Sequence, residues 1–168
     1  SDGDANMEYV NSVVRVINKN LKDYKIICTK STVPIGTGGK IIKTLSNDFE
    51  EGIDFDYVSN PEFLREGSAV KDFLWPDRII IGTTSDKAYE IMCDMYRPLY
   101  INKNPIKYTT VETAEMIKYA SNSFLALKIS YINEIANLCE TVGADIHDVA
   151  SAMGQDGRIS DKFLHPGP

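Results

Sequence analysis

The chain has 168 residues, of which 43% are hydrophobic, so it is long enough to bury a core of its own. Its formal net charge of -6 argues against a general nucleic-acid or membrane surface, but is compatible with a local basic pocket for an anionic small molecule. Three widely spaced cysteines, Cys28, Cys93 and Cys139, favour buried reduced thiols over disulfides or a metal site. Because no apolar run approaches a membrane span and no signal-peptide core is present, we expect a cytoplasmic protein.

Hydrophobic spacing predicts alternating helices and strands over the first 110 residues. The predicted helices cover 7–21, a segment that follows the turn at 36–39 and ends at about 45, and 86–99, the last with Ile91, Met95 and Leu99 on one face. The predicted strands cover 25–29, 56–59, 78–82 and 106–109, and the first is expected to be buried on both faces. Strands that alternate with helices indicate a parallel sheet and therefore an α/β fold.

The hydroxyl pair of Ser31 and Thr32, followed by Val33 and Pro34, stands at the carboxyl end of the first predicted strand. In an open α/β sheet that edge faces the ligand crevice. The alternative is that both hydroxyls bond the local backbone.

The glycine-rich run at 36–39 resembles a phosphate-binding loop at first sight. A P-loop, however, needs a glycine where Pro34 stands and a hydroxyl residue where Ile41 stands. The spacing of a dinucleotide-binding glycine loop is absent as well. A flexible turn that opens a helix is the favoured interpretation.

Glu62 and Glu66 flank an apolar pair, Phe63 and Leu64, with Arg65 between, in the loop after the second predicted strand. Two solvated carboxylates are one interpretation. The other is that the apolar pair draws the loop against the core, where a carboxylate takes up a proton more readily and can serve as an acid or base.

Residues 109–142 predict a long helix, with a capping box at Thr109 and Glu112 and a stop at Gly143. At 1.5 Å per residue its roughly 31 residues span about 46 Å, which favours a spine between domains or a dimer contact over a peripheral crossover. Its apolar surface is predicted to comprise Ile117, Phe124, Leu125, Ile132, Ile135, Leu138 and Val142. Asp145 is predicted to cap a final short helix.

Lys118 and Asn122 lie one turn apart on the long helix, so they share a face. A cation and an amide can together hold a developing oxyanion, although a solvated lysine is the simpler interpretation. Arg158, in a polar loop near the end of the chain, is either a surface arginine or a partner for a phosphate or carboxylate.

These segments together resemble the UDP-glucose branch of the nucleotide-sugar dehydrogenases in order and spacing. The matching segments are 30–34, 59–67, 77–82, 112–143 and 158–164. The resemblance implies that residues 1–110 are the C-terminal half of an NAD-binding Rossmann-like domain. Residues 111–168 would then be a central helical dimerisation segment, with the long helix connecting the two.

The chemistry implied by the resemblance is the oxidation of UDP-glucose to UDP-glucuronate, in two steps, with two NAD. In the family a cysteine holds the aldehyde as a thiohemiacetal and then a thioester that water hydrolyses. By matching position, Glu62 would be the acid/base for hydrolysis, and Thr32 would position the water and contact NAD. Lys118 and Asn122 would stabilise the oxyanion and contact the sugar.

The resemblance also implies binding roles. Phe63, Leu64, Arg65 and Glu66 would line the sugar site. Ser31, Thr32, Val33 and Glu66 would contact NAD. Arg158 would reach the sugar nucleotide of a neighbouring subunit in a homodimer built on the long helix. No nucleic acid, membrane or metal partner is expected.

The family's dinucleotide-binding glycine loop, its nucleophilic cysteine segment and its UDP-binding domain have no counterpart in these residues. We therefore expect an inactive middle piece of the enzyme. Two alternatives stay open: another nucleotide-sugar dehydrogenase, for GDP-mannose or UDP-N-acetylmannosamine, and a non-catalytic helical dimerisation module.

Overall fold

The computed structural model of the chain describes residues 5–99 and 105–167. These form two compact units, Ser1–Lys118 and Tyr119–Pro168, so that the long helix begins in the first and continues in the second. The elements, in chain order, are α1 (Glu8–Asn20), β1 (Lys25–Thr29), α2 (Thr37–Leu45), β2 (Phe55–Ser59), α3 (Ala69–Leu74), β3 (Ile79–Gly82), α4 (Asp86–Tyr96), β4 (Ile106–Thr109), α5 (Val111–Val142) and α6 (Ile146–Gly154). A single 3₁₀ turn, Arg97–Leu99, follows α4.

The four strands form one sheet in the order β1-β2-β3-β4. Lys25 lies opposite Phe55 in the parallel β1–β2 pair, and Ile79 lies opposite Ile106 in the parallel β3–β4 pair. The predicted α/β fold with a Rossmann-like sheet is confirmed. One contact was not predicted: β2 and β3 run antiparallel and are paired at Ser59 and Gly82.

The connection from β2 to β3 contains a short helix, α3, that was not predicted from the sequence. Its six residues cover about 9 Å. The five residues of β2 cover about 16 Å. The helix is therefore shorter than the strand that precedes it.

The core lies on both faces of β2, whose side chains alternate between two clusters. Phe55 and Tyr57 pack with α1, α2 and the start of α5, whereas Val58 packs with β3 and α4. This double cover explains why every residue of β2 and β3 is buried.

Two predictions about burial were wrong. Strand β1 is only partly buried, and Cys28 is exposed, because β1 is the edge strand of this sheet and has one neighbour instead of two. On α4, Ile91 and Met95 are open to solvent, with 44% and 57% exposure, whereas Leu99, which was predicted on the same face, lies beyond the end of α4 and packs against the core. The buried stripe consists of Ala88, Met92 and Tyr96.

The start of α5 differs by one residue from the prediction. The hydroxyl of Thr110, and not that of Thr109, accepts a hydrogen bond from the main-chain N–H of Thr113 at 3.3 Å. The predicted end is confirmed, because α5 stops at Val142 and Gly143 takes a positive φ of 73°.

The second unit contains the rest of α5, helix α6 and the segment up to residue 167. Its core is formed by Ile132, Ala150 and Leu164. Asp145 caps α6 as predicted, and its carboxylate accepts the N–H groups of His147 and Asp148. Among the helices that the structure describes, none is long and apolar enough to cross a membrane.

A lysine secures the terminal loop of this unit. The Lys128 ammonium donates to the main-chain oxygens of Ile159, Ser160 and Lys162 at 2.9, 3.3 and 2.5 Å. Ser160 and Phe163 adopt positive φ angles of 66° and 65°, which non-glycine residues rarely do. The three bonds of Lys128 therefore help to hold a loop whose backbone is unfavourable by itself.

Candidate active site

Two loops leave the same edge of the sheet, because β1 and β2 are parallel neighbours. The first loop carries residues 30–36 and the second carries residues 60–68. The N–H of Asn60 donates to the oxygen of Thr29 at 2.9 Å, and that of Glu62 donates to Lys30 at 3.4 Å. The strand pairing is thus continued into both loops and holds their first residues side by side.

A polar cluster fixes the base of these loops. Asn60 is 1% exposed, and its side-chain amide donates to the main-chain oxygen of Ile80 at 2.7 Å. Its side-chain oxygen accepts from the Lys30 ammonium at 2.9 Å and from the Tyr96 hydroxyl. Lys30 also donates to Tyr96 at 3.0 Å. These contacts tie β1, β2, β3 and α4 together directly below the predicted site.

Lys118 and Glu62, which sequence reasoning assigned to one site, do lie together. Lys118 is 7% exposed, and its ammonium donates to the main-chain oxygen of Glu62 and lies 3.6 Å from Oε1 of its carboxylate. The other carboxylate oxygen, Oε2, accepts the N–H of Leu64 at 2.7 Å. A cation and a carboxylate in fixed orientations can respectively stabilise a developing negative charge and take up a proton.

Phe63 contacts two cations in the first unit. Cζ of Arg78 lies 4.1 Å from the ring centroid, and Nζ of Lys118 lies 5.1 Å from it. Both distances fall within the range of cation–π interactions. Arg78 was not predicted as a site residue, although it stands inside one of the matching segments.

Arg65 is bound within its own loop. Its guanidinium forms a two-point contact with Asp72 of α3, at 2.9 Å and 2.6 Å, and its main-chain N–H donates to the same carboxylate at 2.9 Å. These bonds lower the pKa of Asp72 to about 2. Leu64 is 38% exposed and Glu66 is exposed. The two apolar residues of this loop therefore differ: the ring of Phe63 packs against cations, whereas Leu64 is open to solvent.

The residues predicted to contact NAD differ in their exposure. Ser31 and Thr32 are exposed at the carboxyl edge of β1, where their hydroxyls are available to a ligand. The side chain of Val33 is buried, with 5% exposure, so any contact it makes with a ligand would come from its main chain. The exposed pair stands at the edge where open α/β sheets bind their ligands.

Two predicted site residues lie in the second unit. Asn122 is exposed on α5, four residues beyond Lys118 along the chain. The guanidinium of Arg158 is 89% exposed and contacts Asp156 at 2.6 Å, which holds the pKa of that carboxyl below its usual value. Within its unit, Arg158 thus presents a cation to solvent.

The glycine turn is bound by a residue that sequence reasoning missed. Gly36, with a φ of 86°, precedes α2 and opens it as predicted. The N–H groups of Gly36 and Gly38 donate to the Glu115 carboxylate at 2.6 and 2.8 Å. No local signal identifies Glu115, since the partners are more than 75 positions apart in the chain.

Comparison with known proteins identifies the family of the chain. The NAD binding domain of the UDP-glucose/GDP-mannose dehydrogenase family matches residues 1–100, and the central domain of that family matches residues 112–168. The chain therefore belongs to the UDP-glucose/GDP-mannose dehydrogenase family. The family implied by the sequence resemblance is therefore confirmed, and the match to its NAD binding domain agrees with the expected cofactor, NAD.

Individual relatives include enzymes named for UDP-glucose. The chain is 52% identical to a UDP-glucose 6-dehydrogenase of Rhizobium meliloti and 49% identical to the YwqF enzyme of Bacillus subtilis, over 99% of its length in each case. It spans 38% and 37% of the lengths of these two relatives.

Solved structures agree with the fold. A UDP-glucose dehydrogenase from Pyrobaculum islandicum superimposes with a TM-score of 0.90 at 38% identity, over 99% of this chain and 38% of that one. A GDP-mannose dehydrogenase from Pseudomonas aeruginosa gives 0.84 at 34% identity, over 99% of this chain and 39% of that one.

Proposed function

We propose that the chain is the middle part of an NAD-dependent UDP-glucose 6-dehydrogenase, which oxidises UDP-glucose to UDP-glucuronate. The observation that carries the proposal is the fixed pair of Lys118 and Glu62 at the ligand-facing edge of the sheet. Similarity to enzymes named for this substrate supports UDP-glucose over other nucleotide sugars. A cytoplasmic location is part of the proposal, since both substrates are soluble metabolites.

In the proposed reaction the primary alcohol of the sugar and one water become a carboxylate. NAD, when bound, accepts a hydride in each of the two oxidations. The first oxidation gives an aldehyde, to which a cysteine thiol adds as a thiohemiacetal. The second gives a thioester, and water releases the acid and regenerates the thiol. Cys28, Cys93 and Cys139 do not match the family's nucleophile, so we assign this thiol to a part of the protein outside the chain.

Lys118 is proposed to stabilise the negative charge that develops on the substrate oxygen. An ammonium has three donors, and one of those of Lys118 is used by the main-chain oxygen of Glu62. Burial strengthens its attraction for an oxyanion, because water screens the charge less. Asn122, one helical turn further, is proposed to add an amide donor.

Glu62 is proposed to take the proton from the water that attacks the thioester. Its carboxylate is held in place through Oε2 and keeps Oε1 near Lys118. Thr32 is proposed to orient that water and to contact NAD together with Ser31, Val33 and Glu66. Phe63, Leu64, Arg65 and Glu66 are proposed to line the sugar site.

A homodimer through α5 is also proposed. In the second unit Phe124, Leu127, Tyr131, Leu138 and Val142 are between 50% and 66% exposed. Their intervals of three, four, seven and four residues match the seam of paired helices. In such a dimer Arg158 would reach the sugar nucleotide of the partner subunit. Residues 1–110 and 111–168 would then be the cofactor half-domain and the dimerisation segment.

The test uses the full-length protein with UDP-glucose and NAD, with NADH absorbance and UDP-glucuronate as readouts. Two NADH should form for each UDP-glucuronate. Lys118→Met should lower kcat about 10²-fold or more, because the buried cation is lost. Glu62→Gln should accumulate a covalent sugar adduct on the enzyme, detectable by intact-protein mass spectrometry, because hydrolysis becomes slow. Lys71→Met, at an exposed position of α3, is the matched control and should leave kcat unchanged.

Three results would contradict the proposal. Turnover of GDP-mannose or UDP-N-acetylmannosamine but not of UDP-glucose would assign the chain to another branch. Full activity of Lys118→Met would remove the cation from the mechanism. NADH production by the 168-residue chain alone would show that the reaction does not need a nucleophilic thiol from another part of the protein.

A further inference from the structure

Glu115 is a buried carboxylate in the second turn of α5 and belongs to none of the predicted roles. It is 2% exposed, and each of its oxygens accepts a separate main-chain N–H, Oε2 from Gly36 and Oε1 from Gly38. These N–H groups stand at the start of α2, where a helix has no partners of its own for them. Both bonds are charge-assisted and lie at the positive end of the helix dipole.

The glycine pair is what permits this contact. Gly36 has a left-handed backbone, with a φ of 86°. A Cβ at Gly38 would lie 2.4 Å from Cγ1 of Val111 and 2.7 Å from Cε1 of Tyr57, so α2 and α5 can approach this closely only without a side chain there. The glycine-rich turn is therefore built to receive a carboxylate from the protein itself.

Glu115 and Lys118 stand three residues apart on one helix but bind different loops. Lys118 holds the loop of Glu62. Glu115 holds Gly36, the last residue of the loop that begins at Ser31. Thr37 continues this attachment, because its N–H donates to the oxygen of Pro34 at 3.1 Å. The first two turns of α5 thus attach both ligand-facing loops to one rigid element.

We propose that Glu115 is a positioning residue, which sets the place of Thr32 and its cofactor-contacting loop relative to Lys118 and Glu62. The inference rests on the proposed function. Replacement by glutamine leaves a single acceptor oxygen for two N–H donors and turns an amide N–H₂ towards one of them. The loop of Thr32 then loses one of its two attachments to α5 while Lys118 keeps its own.

The test compares Glu115→Gln with Ile41→Val in the full-length protein. Ile41 is a buried residue of α2 outside the site, so its variant controls for a general loss of stability. For Glu115→Gln the KM for NAD should rise about five-fold or more while the KM for UDP-glucose changes less than about two-fold. Ile41→Val should change neither KM.

A merely structural role for Glu115 predicts a different pattern, since partial unfolding lowers the amount of active enzyme and leaves both KM values unchanged. That pattern in Glu115→Gln would overturn the inference. If Glu115→Gln does not fold, Glu115→Asp replaces it, because the charge is kept and the reach is shortened. An unchanged KM for NAD in Glu115→Asp would overturn the inference equally. Absence of UDP-glucose oxidation by the unaltered protein would instead refute the proposed function.

The inference also has a readout that needs no turnover. Amide hydrogen exchange of residues 31–38 should accelerate about ten-fold or more in Glu115→Gln, whereas residues 60–64 should exchange as in the unaltered protein. Equal acceleration of both loops would show a general loss of stability and would refute the positioning role.

Discussion

Gly38 and Gly39 offer a matched pair of substitutions in one helix. Alanine at Gly38 places a methyl carbon 2.4 Å from Val111 and 2.7 Å from Tyr57, about 1 Å inside normal carbon contact. Both neighbours are buried, at 4% and 1% exposure, so neither can turn aside into solvent. Alanine at Gly39 meets nothing within 4 Å.

The expected free energies of unfolding have opposite signs. Overpacking at Gly38 costs about 1–3 kcal/mol, and the helix preference for alanine returns about 1 kcal/mol of this. Alanine at Gly39 gains about 0.5–1 kcal/mol without strain. The two variants should therefore differ by about 2 kcal/mol, which corresponds to about 4–8 °C in Tm for a chain of this size.

The assay is thermal and urea unfolding of the two variants and the unaltered chain, followed by circular dichroism. Gly38→Ala should melt below the unaltered chain and Gly39→Ala should melt at or above it. Equal stabilities of the two variants would refute the close approach of α2 to α5, and with it the reach of Glu115 to the glycine turn.

Three further predictions concern titration and loop stability. The pKa of Asp72 is lowered from 3.8 to about 2, chiefly by its hydrogen bonds from Arg65. The contribution of the ionised Asp72 carboxylate to stability is complete above pH 4 and is lost as the pH falls through 2. In Arg65→Ala, NMR of the carboxyl group should show that the pKa of Asp72 returns to its usual value. Burial, and then a hydrogen bond to Asp56, raises the pKa of Tyr24 to about 12. The contribution of the Tyr24 phenol to stability is complete below pH 10 and is lost as the pH rises through 12. Difference absorbance between the unaltered protein and Tyr24→Phe should show one phenol that titrates near 12. A phenol that titrates near 10 would contradict the contact with Asp56. Lys128→Met removes the ammonium that three main-chain oxygens accept from, so the loop at 159–162 should lose about 1–2 kcal/mol of local stability. Amide hydrogen exchange should become faster in this loop and stay the same in β2. Unchanged exchange in the loop would contradict the role of Lys128 in holding it.

Regular elements were predictable because their signals are local. The strand at 25–29 and the end of the long helix at Gly143 match the structure. The buried face of α4 was not predictable, since Ile91 and Met95 keep the same helical spacing as Ala88 and Met92. Periodicity finds the helix, but only the packing against β3 shows which stripe is covered.

Some features of the candidate site were predictable from the sequence and others were not. The proximity of Glu62 and Lys118 followed from the family resemblance, and the structure brings the two together. Glu115 and Arg78 could not be predicted from local pattern, because each acts on a segment distant in sequence. Arg65 was predicted to line the sugar site, but its attachment to Asp72 depends on α3, a helix too short to leave a clear signal.

The carboxylate at the start of α2 has a consequence for the way the cofactor is held. Helix beginnings commonly receive the pyrophosphate bridge of a dinucleotide. At α2 the N–H groups that would bind such an anion already donate to the Glu115 carboxylate, which would repel a second anion. We therefore expect the proposed cofactor contacts of the first loop to come from the exposed hydroxyls of Ser31 and Thr32 and the main chain of Val33, and not from the start of α2.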